Sequence, residues 1–193
     1  MRTAASRPLQ PAFSLVELLC VIAIICVLAV IVNLAITSLS QGRKLTTGGN
    51  LTVDLINHAR QIAKSRDTLT MVAMVNSGPD AARSFAVLAF AATNGTNGNW
   101  TQIEKWRTLP ENVAVDQSAS TNFFLPPPTT ALPISREGQP VTCLSAVFLP
   151  NGRPLNPSSS PQVVYLFGQH ASTNNFYKVI INQATGIPIV RRP

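Results

Sequence analysis

The chain has 193 residues, with 15 Lys and Arg against 8 Asp and Glu, a formal net charge of +7. Hydrophobic residues make up 46% and charged ones only 12%, which excludes a wholly disordered chain, since disorder needs low hydrophobicity and dense charge. Three cysteines (Cys20, Cys26, Cys143) exclude a disulfide scaffold, and two histidines (His58, His170) argue against a Cys/His zinc site, so no metal or other cofactor is expected.

Residues 18–42 carry no charged side chain, and residues 18–32 (LLCVIAIICVLAVIV) are apolar without a break. A helix crosses a bilayer with about 20 apolar residues, so this stretch suffices. A secretory signal peptide has a shorter apolar core and a small-x-small cleavage site; Asn33-Leu34-Ala35 is a poor one. Cys20 and Cys26 follow Leu19 and Ile25, where a bacterial lipoprotein signal needs a small residue. Arg2 and Arg7 precede the span with no acid nearby, which places residues 1–12 in the cytoplasm, although Arg43 and Lys44 on the far side work against that orientation. Glu17 does not fit a plain anchor. A carboxylate at mid-bilayer costs about 2.5–3.5 kcal/mol, less near a span's end. It is either a residue that snorkels to the headgroups or a functional one.

The context of Glu17 bears on that choice. Ala12-Phe13-Ser14-Leu15-Val16-Glu17-Leu18-Leu19, followed by the long apolar run, resembles the prepilin-type cleavage and methylation motif of type IV pilins and type II secretion pseudopilins. The resemblance implies a cytoplasmic leader, residues 1–12, removed by a prepilin peptidase that cuts between Ala12 and Phe13 and methylates the Phe13 nitrogen. It implies an assembly helix over residues 13–36. It also implies a bacterial inner-membrane location, a single pass with the head in the periplasm, and pilin-like subunits as partners. Two positions depart from the pattern: Ala12 stands where Gly is usual, and residues 27–40 lack the Pro that many members carry. Glu17 lies four residues after Phe13, and i, i+4 positions share a helix face. In a bundle, Glu17 of one subunit can meet the Phe13 amine of its neighbour, a pair that selects axial register more than it adds stability.

Residues 38–50 (SLSQGRKLTTGGN) are polar and contain Gly42, Gly48 and Gly49, so a weakened helix or a short linker is expected, kinked or broken near Gly48. Residues 51–67 have helical periodicity: Leu51, Leu55, Ile56, Ala59, Ile62 and Ala63 form one apolar face, and Asp54, His58, Arg60, Lys64 and Arg66 point elsewhere. Together, residues 37–67 are expected to link the span to the head and pack on it. Residues 68–193 then read as β-rich. Strands are predicted over 68–75, 84–92, 100–106, 141–149, 162–167, 175–181 and 187–190, with turns at Ser77-Gly78-Pro79-Asp80, Asn94–Gly98, Asn151-Gly152 and Thr185-Gly186. Pro126, Pro127, Pro128 and Pro133 argue that 108–140 is an irregular loop with no central strand. The fold class is α+β, a long N-terminal transmembrane helix extending into an antiparallel β-rich head.

Three head segments carry a second, looser resemblance. They are Ala59-Arg60 with Ala63 and Lys64-Ser65-Arg66, Phe148-Leu149-Pro150-Asn151-Gly152-Arg153, and Gln183-Ala184-Thr185-Gly186. Together they are similar to the H-type minor pseudopilins, which implies two small sheets packed beside the helix. Pilin-like cassette proteins of Verrucomicrobia-type bacteria are a further, weaker resemblance.

No paired carboxylates, phosphate-binding glycine loop or metal spacing is present. Asp54 and His58 at i, i+4 read as a solvated helix face, and His170 as a loop residue. Asn94-Gly-Thr and Asn99-Trp-Thr match the N-glycosylation pattern, which has no meaning in a bacterial protein. Lys178, Arg191 and Arg192, joined by Arg153, are candidate contacts for an anion such as DNA. No aromatic platform interleaves with them as single-strand binding requires, so nucleic acid is the less favoured partner. Three functions stay open. One is a structural pilin or pseudopilin subunit, minor and non-enzymatic. Another is a DNA-capturing pilin. The third is a membrane-anchored periplasmic enzyme or binding protein.

Overall fold

The computed structural model describes residues 14–91, 99–118, 120, 123–124, 135–136, 139–155, 162–168 and 175–192. The chain divides into two compact units, Met1–Ser40 and Gln41–Pro193, and one helix, α1 (Leu15–Arg66), has residues in both. In the first unit, Leu15–Val32 is an 18-residue stretch of mean hydropathy 3.3, none of it buried, long and apolar enough to cross a membrane.

The second unit holds the strands β1 (Thr70–Val75), β2 (Ser84–Ala91), β3 (Asn99–Gln102), β4 (Arg107–Thr108), β5 (Val113–Val115), β6 (Ser135–Arg136), β7 (Gln139–Pro140), β8 (Cys143–Phe148), β9 (Gln162–Gly168), β10 (Phe176–Ile181) and β11 (Pro188–Arg191). The first sheet runs β3-β2-β1-β8, with β4 also on β2; the second runs β11-β10-β9-β5; β6 and β7 pair alone. Every pairing is antiparallel.

Between the sheets and α1 lies one core. Leu55, Ile56, Ala59 and Ala63 of the helix join Val72, Met74, Phe85 and Val87 of the first sheet and Val164, Leu166, Val179 and Ile181 of the second. A large apolar side chain buried this way contributes about 1.5–3 kcal/mol. The first sheet is covered on its other face too, where Met71, Ala73, Val75, Ala86, Leu88, Trp100 and Cys143 form a second cluster. That is why β1 reads as a continuous apolar run: all six residues are buried, between two neighbouring strands and two covered faces.

Beyond Arg66 the helix stops at Asp67, which takes a left-handed φ of 48° while the Thr68 amide donates to the Ala63 carbonyl at 3.2 Å. This is the hydrogen bond of a Schellman cap, with aspartate where glycine is the unstrained choice.

Three expectations are corrected. Residues 38–50 are helix throughout, with no break near Gly48. The glycines serve close approach instead: a Cβ on Gly48 would sit 3.0 Å from Val113 Cγ1, and one on Gly49 would collide with the Tyr177 ring, whose hydroxyl donates to Asn50 Oδ1 at 2.9 Å. Arg60, expected outside the apolar face, is only 9% exposed, because backbone oxygens from two distant turns receive its guanidinium. The 108–140 stretch is not all loop. It supplies β5 at the free edge of the second sheet, with Leu109, Val113, Val115 and Phe123 buried in the core. In sequence, Pro126, Pro127, Pro128 and Pro133 come after β5, so the strand itself carries no proline. The predicted turn at Asn94–Gly98 lies outside the described residues.

Candidate functional site

At the N-terminal end, α1 begins with the Leu18 amide donating to the Ser14 carbonyl at 3.2 Å. Glu17 lies in the first helical turn and is exposed, where the positive end of the helix dipole favours a carboxylate. Ala12 and Phe13 lie outside the described residues. What the chain presents here is an unburied apolar helix surface bearing one acid. In lipid that surface needs no partner. In an aqueous filament it must be covered by other helices.

The candidate basic residues do not form one patch. Lys178 on β10 is the register partner of Arg191 on β11, the pair farthest from the turn that closes their hairpin. Arg192 places its Cζ 5.1 Å from the Tyr177 ring centroid and borders a cavity of about 180 Å³ with Gly42, Leu45 and Phe176. Arg153 is elsewhere: it follows Gly152, whose carbonyl abuts Gly186 in the closing turn itself.

Sequence reasoning missed the aromatic neighbours of Lys178. Its Nζ lies 5.1 Å from the Tyr165 ring centroid, and Tyr165, Phe167 and Phe176 form a three-ring cluster with centroids 5.7–6.2 Å apart. The expectation that no aromatics accompany the charges is corrected. The rings come from β9 and β10, and only the register Phe176↔Phe167 and Lys178↔Tyr165 brings them to the cations. Alternation of aromatics along residues 162–167 was the available signal.

A third constellation joins the three head segments noted in the sequence. Arg60 Nε donates to the Gly152 carbonyl at 3.1 Å, Nη2 to the Thr185 carbonyl at 2.6 Å and Nη1 to Asn57 Oδ1 at 3.2 Å. One side chain of α1 thereby fastens the turn after β8 and the turn after β10. Desolvation lowers the Arg60 pKa below its usual value. Each of its three bonds holds protein, two to the carbonyls of distant turns and one to Asn57 within α1.

Asp54 and His58 are not a working pair. His58 Nδ1 lies 3.0 Å from Glu104 Oε1, and Glu104 Oε2 lies 3.3 Å from Arg107 Nη2. Among the described residues no group of His, Cys, Asp and Glu could hold a metal. Cys143 is buried and unpaired, and burial pushes its thiol up to about 11. His170 and Asn94 lie outside the described residues, and Asn99 is an exposed residue of β3.

Residues 7–33 match the prokaryotic N-terminal methylation motif. Solved structures of similar shape include the minor pseudopilin EpsH of the type 2 secretion system of Vibrio cholerae, with TM-score 0.48, 12% identity, and coverage of 78% of this chain and 98% of that one. Another is the type IV minor pilin FimU of Pseudomonas aeruginosa, with TM-score 0.49, 12% identity, and coverage of 78% and 89%. No curated protein matches the sequence. What the chain shares with known proteins in sequence is thus the prokaryotic N-terminal methylation motif over residues 7–33, joined to an apolar helix long enough to cross a membrane.

Proposed function

We propose that the protein is a non-enzymatic structural subunit, of the minor kind, of a type IV pilus or type II secretion pseudopilus. The prepilin peptidase removes residues 1–12 on the cytoplasmic side and methylates the Phe13 nitrogen, while the head stays in the periplasm. The subunit then leaves the bilayer by packing its apolar helix against those of other pilin-like subunits.

One observation carries this reading. Within the matched motif, an unburied apolar span bears a single acid, Glu17, one helical turn from the amine that cleavage would create. Cleavage supplies the cation that an otherwise unpaired carboxylate lacks. In a water-excluded bundle, an unpaired charge at that place costs several kcal/mol, so only registers that join Glu17 to a neighbour's Phe13 amine persist. The test is the mass of the mature N-terminus together with crosslinking to pilin-like partners in membranes. A chain that keeps Met1–Ala12, or a mature chain that crosslinks to no pilin-like protein, contradicts the proposal.

A further inference from the structure

Among the described residues of the head, large exposed apolar side chains occur in one place. Among the described residues outside the N-terminal span they are Ile187, Ile189 and Val190, at 48, 49 and 40% exposure, all on or beside β11. β11 is the edge of the second sheet opposite β5. The face beside it is also incompletely covered. Val164, Leu166, Tyr177, Val179 and Ile181 point into the core. Strand alternation therefore sends Tyr165, Phe167, Phe176, Lys178 and Ile180 to the opposite face. Those five are half-buried, and Ile189 is the register partner of Ile180 on that same side. An aromatic and aliphatic centre thus continues into an apolar edge, bounded by Lys178 and its register partner Arg191. Contiguous apolar surface with a polar, basic rim is the make-up of a protein–protein interface.

Charge narrows the occupant. No Asp or Glu follows Glu137, so β9, β10 and β11 contribute only cations. The nearest acid in the ladder, Asp116, bonds its amide to the Tyr165 carbonyl and turns its Oδ1 to Ser118. A second copy docked face to face would set Lys178 and Arg191 against the same cations. Nucleic acid fits less well. The Tyr165 ring already receives Lys178 over its face, and Ile187, Ile189 and Val190 offer a phosphate backbone nothing.

We propose that this face and edge dock the head of a different, acidic protein subunit, one presenting an apolar centre ringed by carboxylates. The inference rests on the assembly reading above and adds to it the surface used and the chemistry of the neighbour. Its test uses the full-length chain in its own membranes, with a photo-crosslinking residue at Ile189 and, as control, at the exposed Gln61 of α1. A third label at Val21 in the span reports helix packing, and the N-terminal mass is read from the same sample. The expected result is a crosslink from Ile189, but not Gln61, to another pilin-like protein through a carboxylate-rich peptide. Its yield falls roughly tenfold in Lys178→Glu/Arg191→Glu, the size of a 1.4 kcal/mol loss. Replacing acids by Lys in the crosslinked peptide restores it, which no folding defect would allow. A crosslink to a second copy or to nucleic acid, no crosslink from Ile189, or a yield indifferent to charge reversal overturns the inference. If the N-terminus is mature and Val21 crosslinks persist in those cases, this inference alone has failed. If both are lost, the assembly reading has failed.

Discussion

Replacing Arg60 by Met keeps most of the apolar stem and removes the guanidinium that donates to Gly152, Thr185 and Asn57. A hydrogen bond to a charged group contributes about 1.5–3 kcal/mol, and a buried acceptor left unpaired costs about 1–3 kcal/mol. Gly152 is buried and loses its donor outright, whereas Thr185 is exposed and recovers water. Asn57 is partly accessible and recovers in part. The sum is about 3 kcal/mol rather than the full value of three charged bonds. For a folded unit of this size that corresponds to a melting temperature lower by roughly 6–12 °C. Full-length chain in detergent micelles, unfolded by heat or urea and followed by tryptophan fluorescence, gives the number, since Trp100 is buried in the head. Arg60→Lys retains charge but not the planar fork and should recover less than half of the loss. A change under 0.5 kcal/mol for Arg60→Met would refute the view that this side chain fastens both turns.

Two glycines seven residues apart in α1 should respond oppositely. Gly42→Ala meets no atom within 4 Å and should raise stability by about 1 kcal/mol through helix propensity, while Gly49→Ala collides with the Tyr177 ring and should lower it in the same unfolding assay. Asp67→Gly relieves a left-handed aspartate and removes an acid from the negative end of the helix, so a gain of roughly 0.5–1 kcal/mol is expected. Cys143 should be a free thiol that alkylates slowly in the native state below pH 9, because its thiol is held near 11, and fast once the chain is denatured; a covalent dimer in non-reducing electrophoresis would contradict this.

Much of the architecture was legible because period and punctuation agree. The apolar faces of α1 and β1 are unbroken patterns, and Gly152 and Gly186 mark turns at positive φ of 80° and 71°. Their partnership with Arg60 was not legible, since it joins residues 92 and 125 positions apart. The helix persists through Gly48 and Gly49 for a similar reason. Tertiary contacts to Tyr177 and Val113 outweigh a propensity cost of about 1 kcal/mol per glycine, and those contacts are invisible locally. β5 was hidden by its three-residue length and by the prolines downstream. At the N-terminus the reverse holds. The motif from Phe13 to Glu17 is a local pattern within the matched residues 7–33, so the sequence displays it whole while the fold adds only the exposed span.

The central claim is that Glu17 needs the Phe13 amine. Glu17→Val in full-length chain, with the N-terminal mass and crosslinks to pilin-like partners measured in the same membranes, tests it most directly. The account predicts a variant that inserts and matures between Ala12 and Phe13 as wild type does, yet loses its partner crosslinks. A Glu17→Val chain that crosslinks like wild type would contradict the charge pair and return Glu17 to a residue that only snorkels to the membrane surface.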